Sequence, residues 1–396
     1  MRLPFITILF LLLLFAASKP QAAEQNIEIK VARVTAESWR VDYEFSEPVM
    51  GFDFGAPIEA YRMTAWRVET SGVRLLAENG SEKLVSTEKP FRRVSIMVNR
   101  YSAFPSDQYV PFANYSDGGA SVYLGHFAGD VISDGGLVEF PIHYQVKPLA
   151  GERAVLPGPA NEGRNLFAYF GPAEAIEKPF ARMIVDPEMP AWLGAVFDRT
   201  LVEITAEYSK RLGVKIMEKP LIMIAAGELD SVEGFTVKGG ALNGQIIQLT
   251  LRGTQLHTED TEVAYMMQRL MAHELAHIWQ QLLERGDLSI EDPWIHEGSA
   301  EAMALLALND TGLWPSERLA LYRKSYATQC REYLAGTTIA EAVAGGNFNV
   351  VYPCGFGVFD SNEQDVFEIW KRMTEVVIKR KTSYSQDLLD ELTAPR

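Results

Sequence analysis

The segment MAHELAHIWQ places two of the chain's six histidines four residues apart, with a glutamate directly after the first. On a helix, His273 and His277 would lie one turn apart, so both rings could project from the same face and bind a single metal ion. Zinc bound in this way lowers the pKa of a bound water to about 7 and polarises a substrate carbonyl group. Glu274 is placed to accept a proton from that water. The spacing therefore indicates metal-assisted hydrolysis at a single bound ion.

A second segment, EDPWIHEGSAEAM, supplies further carboxylates. Asp292 and Pro293 have the residue types of a helix N-cap and a first helical position, so we expect a helix to begin there. Glu297 and Glu301 are one turn apart on it and share a face. Glu297 is the predicted third metal ligand, and Glu301 is predicted to accept a hydrogen bond from the free ring N–H of a ligating histidine. His296 is the alternative third ligand.

HELAH followed by WIHEGSAEAM resembles the gluzincin peptidases, in particular the aminopeptidase-N-like family with its HELAH and WLNEGFA motifs, and the related glycyl-aminopeptidase-like family. The resemblance implies a zinc metallopeptidase with one zinc ion held by His273, His277 and Glu297, with Glu274 as general base. It also implies a thermolysin-like catalytic domain. Nineteen residues separate His277 from Glu297, one more than in the family pattern. An insertion of one residue in the loop at 286–291 would accommodate the difference.

The same family has a tyrosine in a Y-x-K-G motif that donates to the oxyanion formed during hydrolysis. In VVYPCGFGVF the matching residues are Tyr352 and Gly355, while Cys354 replaces the lysine. The resemblance therefore implies that Tyr352 supports the oxyanion; a tyrosine that only packs is the alternative. Cys330 and Cys354 are the two cysteines of the chain. In an oxidising compartment they are expected to form one disulfide beside Tyr352, with two free thiols as the alternative.

In the family, the motif GAMEN marks an edge strand that binds the substrate. The corresponding segment here is GGALNGQIIQL, in which Gly240, Ala241 and Leu242 match. We expect these residues and Asn243 to contact an extended peptide substrate along the strand. Asn243 stands where the family has the glutamate that holds the free amino terminus of the substrate. The sequence consequently leaves exopeptidase and endopeptidase specificity open.

The first 23 residues have the pattern of a secretory signal peptide, an early positive charge followed by an apolar run and small residues. We expect an exported protein, periplasmic or secreted, with no stable membrane span after cleavage; an uncleaved N-terminal anchor is the alternative. The formal net charge of −15 argues against a nucleic-acid partner. A peptide or protein substrate is expected, and the oligomeric state is left open.

Strand patterns precede helix patterns along the chain, which predicts the α+β class. Residues 24–150 are predicted to form a β-sandwich-like domain, and residues 160–396 an α+β to helical catalytic domain. A segment rich in proline and glycine separates them. The helix of the two histidines is expected to begin after Thr258 as N-cap and to end near Gly286.

Another class of function fits the same residues. The replaced positions in the GAMEN and Y-x-K-G motifs are compatible with a non-catalytic envelope protein that uses a zinc-containing groove to bind peptides or partners. Hydrolysis of a peptide library, abolished by a chelator, distinguishes the two.

Overall fold

The protein is described from a computed structural model that covers residues 26–101, 110–158, 163–242, 245–284 and 292–394. The N-terminal part consists of β sheets and the C-terminal part is dominated by helices, which confirms the predicted α+β class. The predicted signal peptide lies outside the described residues. In the part of the chain that the structure covers, no helix is both long and apolar enough to cross a lipid bilayer.

The N-terminal part contains fourteen described strands and one short α-helix, α1 (Tyr61–Ala65). The strands are β1 (Ile27–Thr35), β2 (Ser38–Val49), β3 (Gly51–Asp53), β4 (Trp66–Val68), β5 (Val73–Glu78), β6 (Ser81–Ser86), β7 (Phe91–Asn99), β8 (Phe112–Asn114), β9 (Ala120–Tyr123), β10 (Asp130–Ser133), β11 (Gly136–Val138), β12 (Ile142–Lys147), β13 (Arg153–Val155) and β14 (Phe167–Gly171). They form three sheets, with the orders β12-β1-β2-β7-β4, β11-β10-β3-β6-β5 and β13-β14-β9-β8.

Alternation of apolar and polar residues explains why the long strands form. Ile27, Ile29 and Val31 of β1 are fully buried, and so are Trp39 and Val41 of β2, while the residues between them are partly or largely exposed. A strand with this period of two buries one face and exposes the other. The buried faces of the sheets form one apolar core rich in aromatic rings.

The C-terminal part begins with a fourth sheet and continues as helices. Its strands are β15 (Ile176–Glu177), β16 (Arg182–Val185), β17 (Leu221–Glu228), β18 (Thr236–Leu242) and β19 (Ile246–Arg252). The helices are α2 (Ala191–Leu212), α3 (Thr261–Glu284), α4 (Pro293–Asp310), α5 (Ser316–Leu334), α6 (Ile339–Ala344), α7 (Val351–Asp360), α8 (Val366–Arg380) and α9 (Gln386–Thr393). In the sheet order β15-β16-β17-β19-β18, the strands β16, β17 and β19 are parallel, and β18 is an antiparallel edge strand.

The two parts are connected through their sheets. The N-terminal part continues past residue 150, because β13 and β14 follow this residue and β14 pairs with β9. The buried carboxylate of Asp186, just after β16, accepts hydrogen bonds from the backbone N–H groups of Ser116 at 2.9 Å and Ala226 at 3.0 Å. The predicted division between residues 150 and 160 stays a prediction.

The start of α3 differs from the sequence prediction. The carboxylate of Asp260 accepts hydrogen bonds from the backbone N–H groups of Glu262 and Val263 at 2.8 and 3.0 Å, so Asp260 caps the helix. The predicted cap, Thr258, is wrong by two residues, because Thr258 ends the preceding 3₁₀ turn and the helix begins only at Thr261. The predicted end at Gly286 lies outside the described residues.

Candidate metal centre

Helices α3 and α4 bring the three predicted ligands together. The Nε2 atoms of His273 and His277 lie 3.1 Å apart, and the Oε2 atom of Glu297 lies 3.1 Å from the first and 3.4 Å from the second. Among the described residues these three form the one group of side chains that could hold a metal ion. Helix α3 places the two histidines on one face, one turn apart, and α4 crosses that face and brings Glu297 to them. The three ligand atoms therefore form a triangle.

The size of this triangle fits zinc. Zinc binds nitrogen and oxygen ligands at about 2.0–2.2 Å, and tetrahedral angles then separate neighbouring ligand atoms by about 3.3 Å. The observed separations of 3.1 to 3.4 Å have this size. Two imidazoles and one carboxylate are also a donor set found in catalytic zinc sites, where the fourth position stays open.

His296, the alternative third ligand, is directed away from the triangle. Its Nε2 atom is 2.7 Å from a carboxylate oxygen of Glu284, and its ring packs edge-on against Trp370 and Tyr384. The buried side chain is thus engaged in a separate polar and aromatic contact. Glu297 is the member of the pair that faces the two histidines.

The outer nitrogen of each histidine is held by a hydrogen bond. His273 Nδ1 donates to Glu301 Oε2 at 3.0 Å, as the sequence predicts for Glu301, and His277 Nδ1 donates to Gln280 Oε1 at 2.8 Å. Gln280 in turn donates from Nε2 to Ser299 Oγ at 2.8 Å. Each ring is therefore connected to α4 and is fixed with Nε2 available to an ion.

Glu301 is fully buried and its second oxygen is also engaged. Arg269 Nε donates to Glu301 Oε1 at 2.6 Å, and the Tyr326 hydroxyl donates to the same atom at 2.8 Å. Burial alone would raise the pKa of Glu301, but Arg269 and His273 outweigh burial and lower it to about 2. Glu301 thus keeps its negative charge beside His273.

Arg269, Tyr326 and Gln280 were not predicted from the sequence. Two of them carried a usable signal, because Arg269 is four residues before His273 and Gln280 is three residues after His277 on the same helix. Tyr326 carried none, since it arrives from α5 through tertiary packing.

Proton release is expected when zinc binds. Burial lowers the pKa of His273, but hydrogen bonds to Glu297 and Glu301 outweigh it and raise the pKa to about 10. The metal-free His273 therefore carries a second proton up to about pH 10, and a zinc ion must displace that proton. Zinc affinity should consequently keep rising with pH beyond about 6.5, the ordinary pKa of histidine. Zinc would also lower the pKa of a bound water to about 7, so that calorimetry at pH 8 in two buffers of different ionisation enthalpy should show about two protons released, one from His273 and one from the water. Release of about one proton would contradict the raised pKa of His273, because an unperturbed histidine is already neutral at pH 8 and the water would then be the one source.

Glu274 is buried and contacts the edge strand β18. The backbone N–H of Ala241 donates to Glu274 Oε2 at 2.6 Å, and a Cβ atom on Gly240 would lie 3.4 Å from the same oxygen. Leu242 is buried at the end of the strand. Three of the four predicted substrate-binding residues therefore lie on a strand beside Glu274, and the fourth, Asn243, lies outside the described residues. No other described strand pairs with the outer edge of β18.

Tyr352 lies at the first turn of α7, and its ring centre is 5.6 Å from that of His273. It is 39% exposed, so its hydroxyl is not confined to the protein interior. Cys330 of α5 and Cys354 of α7 form a disulfide, which confirms the predicted pairing. The bond joins the helix that carries Tyr352 to its neighbour.

A close crossing of α4 and α7 sets the position of Tyr352 relative to Glu297. A Cβ atom on Gly355 would lie 2.6 Å from the Cα atom of Gly298, and one on Gly298 would lie 2.5 Å from the Cα atom of Gly355. The two backbones therefore touch where both helices lack side chains. Glu297 precedes one of these glycines, and Tyr352 lies one turn before the other.

Gly355→Ala is expected to destabilise the protein by about 1–3 kcal/mol, because the new methyl group would force the two helices apart. Gly357→Ala is the matched control in the same helix, since a Cβ atom there would meet nothing within 4 Å. It should leave stability unchanged or raise it by up to about 1 kcal/mol, the gain of alanine over glycine in a helix. Thermal unfolding would measure both; equal melting temperatures would contradict the close crossing.

In sequence, no protein-family model and no curated protein matches the chain. Among solved structures, the aminopeptidase N family protein of Idiomarina loihiensis is similar over 93% of this chain and 73% of that chain, with 13% identity and a TM-score of 0.57. The M1 zinc metallopeptidase of Deinococcus radiodurans aligns over 93% of this chain and 88% of that chain, with 14% identity and a TM-score of 0.46. Yeast LTA4 hydrolase aligns over 93% of this chain and 64% of that chain, with 11% identity and a TM-score of 0.48. The first of these similarities shows a shared fold, and at that level it confirms the resemblance stated from the motifs.

Proposed function

We propose that the chain is an exported zinc-dependent metallopeptidase that binds one zinc ion and hydrolyses peptide bonds. The observation that carries the proposal is the convergence of His273, His277 and Glu297 on one point, with Glu274 beside them. The shared fold with an aminopeptidase N family protein supports it. When bound, zinc would lower the pKa of a water molecule so that it can lose a proton and act as a nucleophile at neutral pH, and it would polarise the substrate carbonyl.

Glu274 is the proposed general base. Its Oε2 atom is oriented by the backbone N–H of Ala241, and its Oε1 atom, which accepts no hydrogen bond from the residues that the structure describes, would take a proton from the attacking water. The same carboxyl group would then give the proton to the leaving amine. Because Ala241 belongs to the edge strand β18, the strand that would pair with the peptide backbone also positions the base.

Tyr352 is the proposed donor to the oxyanion. Burial raises the pKa of its phenol well above the ordinary value, and the nearby carboxylates of Glu297 and Glu274 raise it further. The hydroxyl consequently keeps its proton at neutral pH and can donate a hydrogen bond where negative charge develops.

Tyr352→Phe is expected to lower kcat by about 10²- to 10³-fold with little change in zinc content, because one oxyanion donor is lost and no ligand is touched. Steady-state kinetics on a fluorogenic peptide, with zinc measured in the same sample, would test this. A fall in kcat of less than threefold would show that the tyrosine only packs.

The test of the proposed function is hydrolysis of a peptide library by the purified chain, read by mass spectrometry. We expect cleavage that a chelator abolishes and added zinc restores. The position of the cleavage sites would decide between exopeptidase and endopeptidase action. A zinc-loaded protein that binds peptides but cleaves none would instead support the non-catalytic groove.

A further inference from the structure

A cleft of about 500 Å³ opens beside Tyr352, between α3, α5 and the start of α7. This volume is in the range of pockets that bind small organic molecules. The phenol rings of Tyr322, Tyr326 and Tyr333 form much of its wall, and Gln329 and Asn349 add polar groups. Because Tyr352 borders both the cleft and the metal centre, a ligand in the cleft would lie next to the reacting bond.

Among the described residues that line the cleft, the charged ones are two arginines, with no aspartate or glutamate. Arg318 is already engaged, since both of its terminal nitrogens pair with Glu262 at 2.6 and 2.8 Å and its guanidinium packs 4.7 Å from the centre of the Tyr265 ring. It is therefore a poor candidate for binding a ligand.

Among the described residues, Arg269 finds a hydrogen-bond partner for its Nε atom alone. Its Nε atom donates to Glu301, which lies fully buried beneath the metal centre. Its two terminal nitrogens make no hydrogen bond with any residue that the structure describes, and the side chain lines the cleft. A guanidinium group with its outer nitrogens available presents a planar fork that matches a carboxylate.

We infer that Arg269 binds a carboxylate of the substrate within this cleft, so that the preferred substrates are short peptides carrying an anionic group just beyond the scissile bond. The inference rests on the proposed peptidase function. Two sources share this chemistry: the α-carboxylate at the C-terminus of a short peptide, and the side chain of an aspartate or glutamate.

The helical rise between Arg269 and His273 agrees with a substrate carboxylate that lies one or two residues from the reacting carbonyl. Arg269 precedes His273 by one helical turn, a rise of about 5.4–6 Å. An extended peptide advances by about 3.3–3.6 Å per residue, so one or two residues cover that distance. The neighbouring side chain of the peptide would lie among the tyrosine rings of the cleft.

Binding to zinc-loaded protein carrying Glu274→Gln tests this without turnover. Calorimetry would compare three probes: the tripeptide Ala-Phe-Ala as free acid, its C-terminal amide, and Ala-Phe-Glu as C-terminal amide. At least one carboxylate-bearing probe should bind about tenfold more tightly than the uncharged amide. A gain for the free acid identifies the α-carboxylate as the ligand, and a gain for the glutamate amide identifies the side chain.

Adding Arg269→Gln should reduce the preference to within about twofold, because the amide side chain lacks the charged fork. Arg323→Gln is the matched control: this arginine is on the same helix as the tyrosines but pairs with Asp360, and the preference should persist. Arg269→Lys, which keeps a cation near Glu301 but loses the fork, decides the matter if Arg269→Gln fails to retain zinc.

Equal affinity for all three probes would overturn the inference, and so would a preference that survives in both Arg269 variants. Neither result depends on hydrolysis. A wild-type protein that cleaves no peptide would refute the proposed function, while the ratio of affinities would still test the cleft.

Discussion

Glu274→Gln is expected to lower kcat by about 10⁴-fold, the upper end for loss of a general base, and to leave zinc content unchanged. Glutamine cannot take a proton from water, yet its amide oxygen can still accept the hydrogen bond from the backbone N–H of Ala241. The side chain should therefore stay in place. Because the triangle of ligand atoms does not include Glu274, the ion should remain.

Glu284→Gln is a suitable comparison for this variant. Glu284 lies on the same helix and is as buried as Glu274, at 7% exposure for each, but its partner is His296. It should lose stability while kcat stays within a few fold. Steady-state kinetics with zinc analysis would measure both variants, and a similar loss of kcat in the two would mean that the effect comes from disturbed packing and not from proton transfer.

Glu297→Ala is expected to weaken zinc binding by more than about 100-fold and to abolish hydrolysis with it. Loss of a group that only orients a ligand typically costs 10–100-fold in metal affinity, and Glu297 is a proposed ligand itself. Its removal would leave two histidines and no anionic donor. Competition with a chromophoric chelator would measure the affinity directly.

The neighbouring residue supplies the control for that measurement. His296→Gln replaces the alternative ligand by a side chain that can still donate to Glu284, so zinc affinity should stay within a few fold of the wild type. If His296→Gln lost zinc and Glu297→Ala kept it, the assignment of the third ligand would be reversed.

The convergence of the candidate metal ligands was predictable from the sequence because helical periodicity determines it. His273 and His277 share a face at a spacing of four, and so do Glu297 and Glu301, whatever the rest of the fold does. In the sequence, the choice between His296 and Glu297 as third ligand depended on a resemblance. In the structure, the two neighbouring side chains point about 100° apart around the axis of α4, so that His296 faces Trp370 and Tyr384 of the C-terminal helical region.

Contacts between distant segments were beyond the sequence. The sequence around Tyr326 does not predict its hydrogen bond to Glu301, because that contact forms only when α5 packs against α3 and α4. The same holds for the contact of Gly298 with Gly355, which appears in the sequence as two ordinary glycines. The β14 strand, which returns to pair with β9, also depends on a long-range pairing.

The disulfide has a consequence for how samples of the protein should be judged. It joins two cysteines 24 positions apart, and the segment between them contains Tyr333, Asn349 and Tyr352, while the three proposed metal ligands lie outside that segment. A thiol reductant would therefore act on one half of the site alone. A preparation made under reducing conditions would be replete with metal and still turn over slowly, so metal content by itself would be a poor gauge of active material.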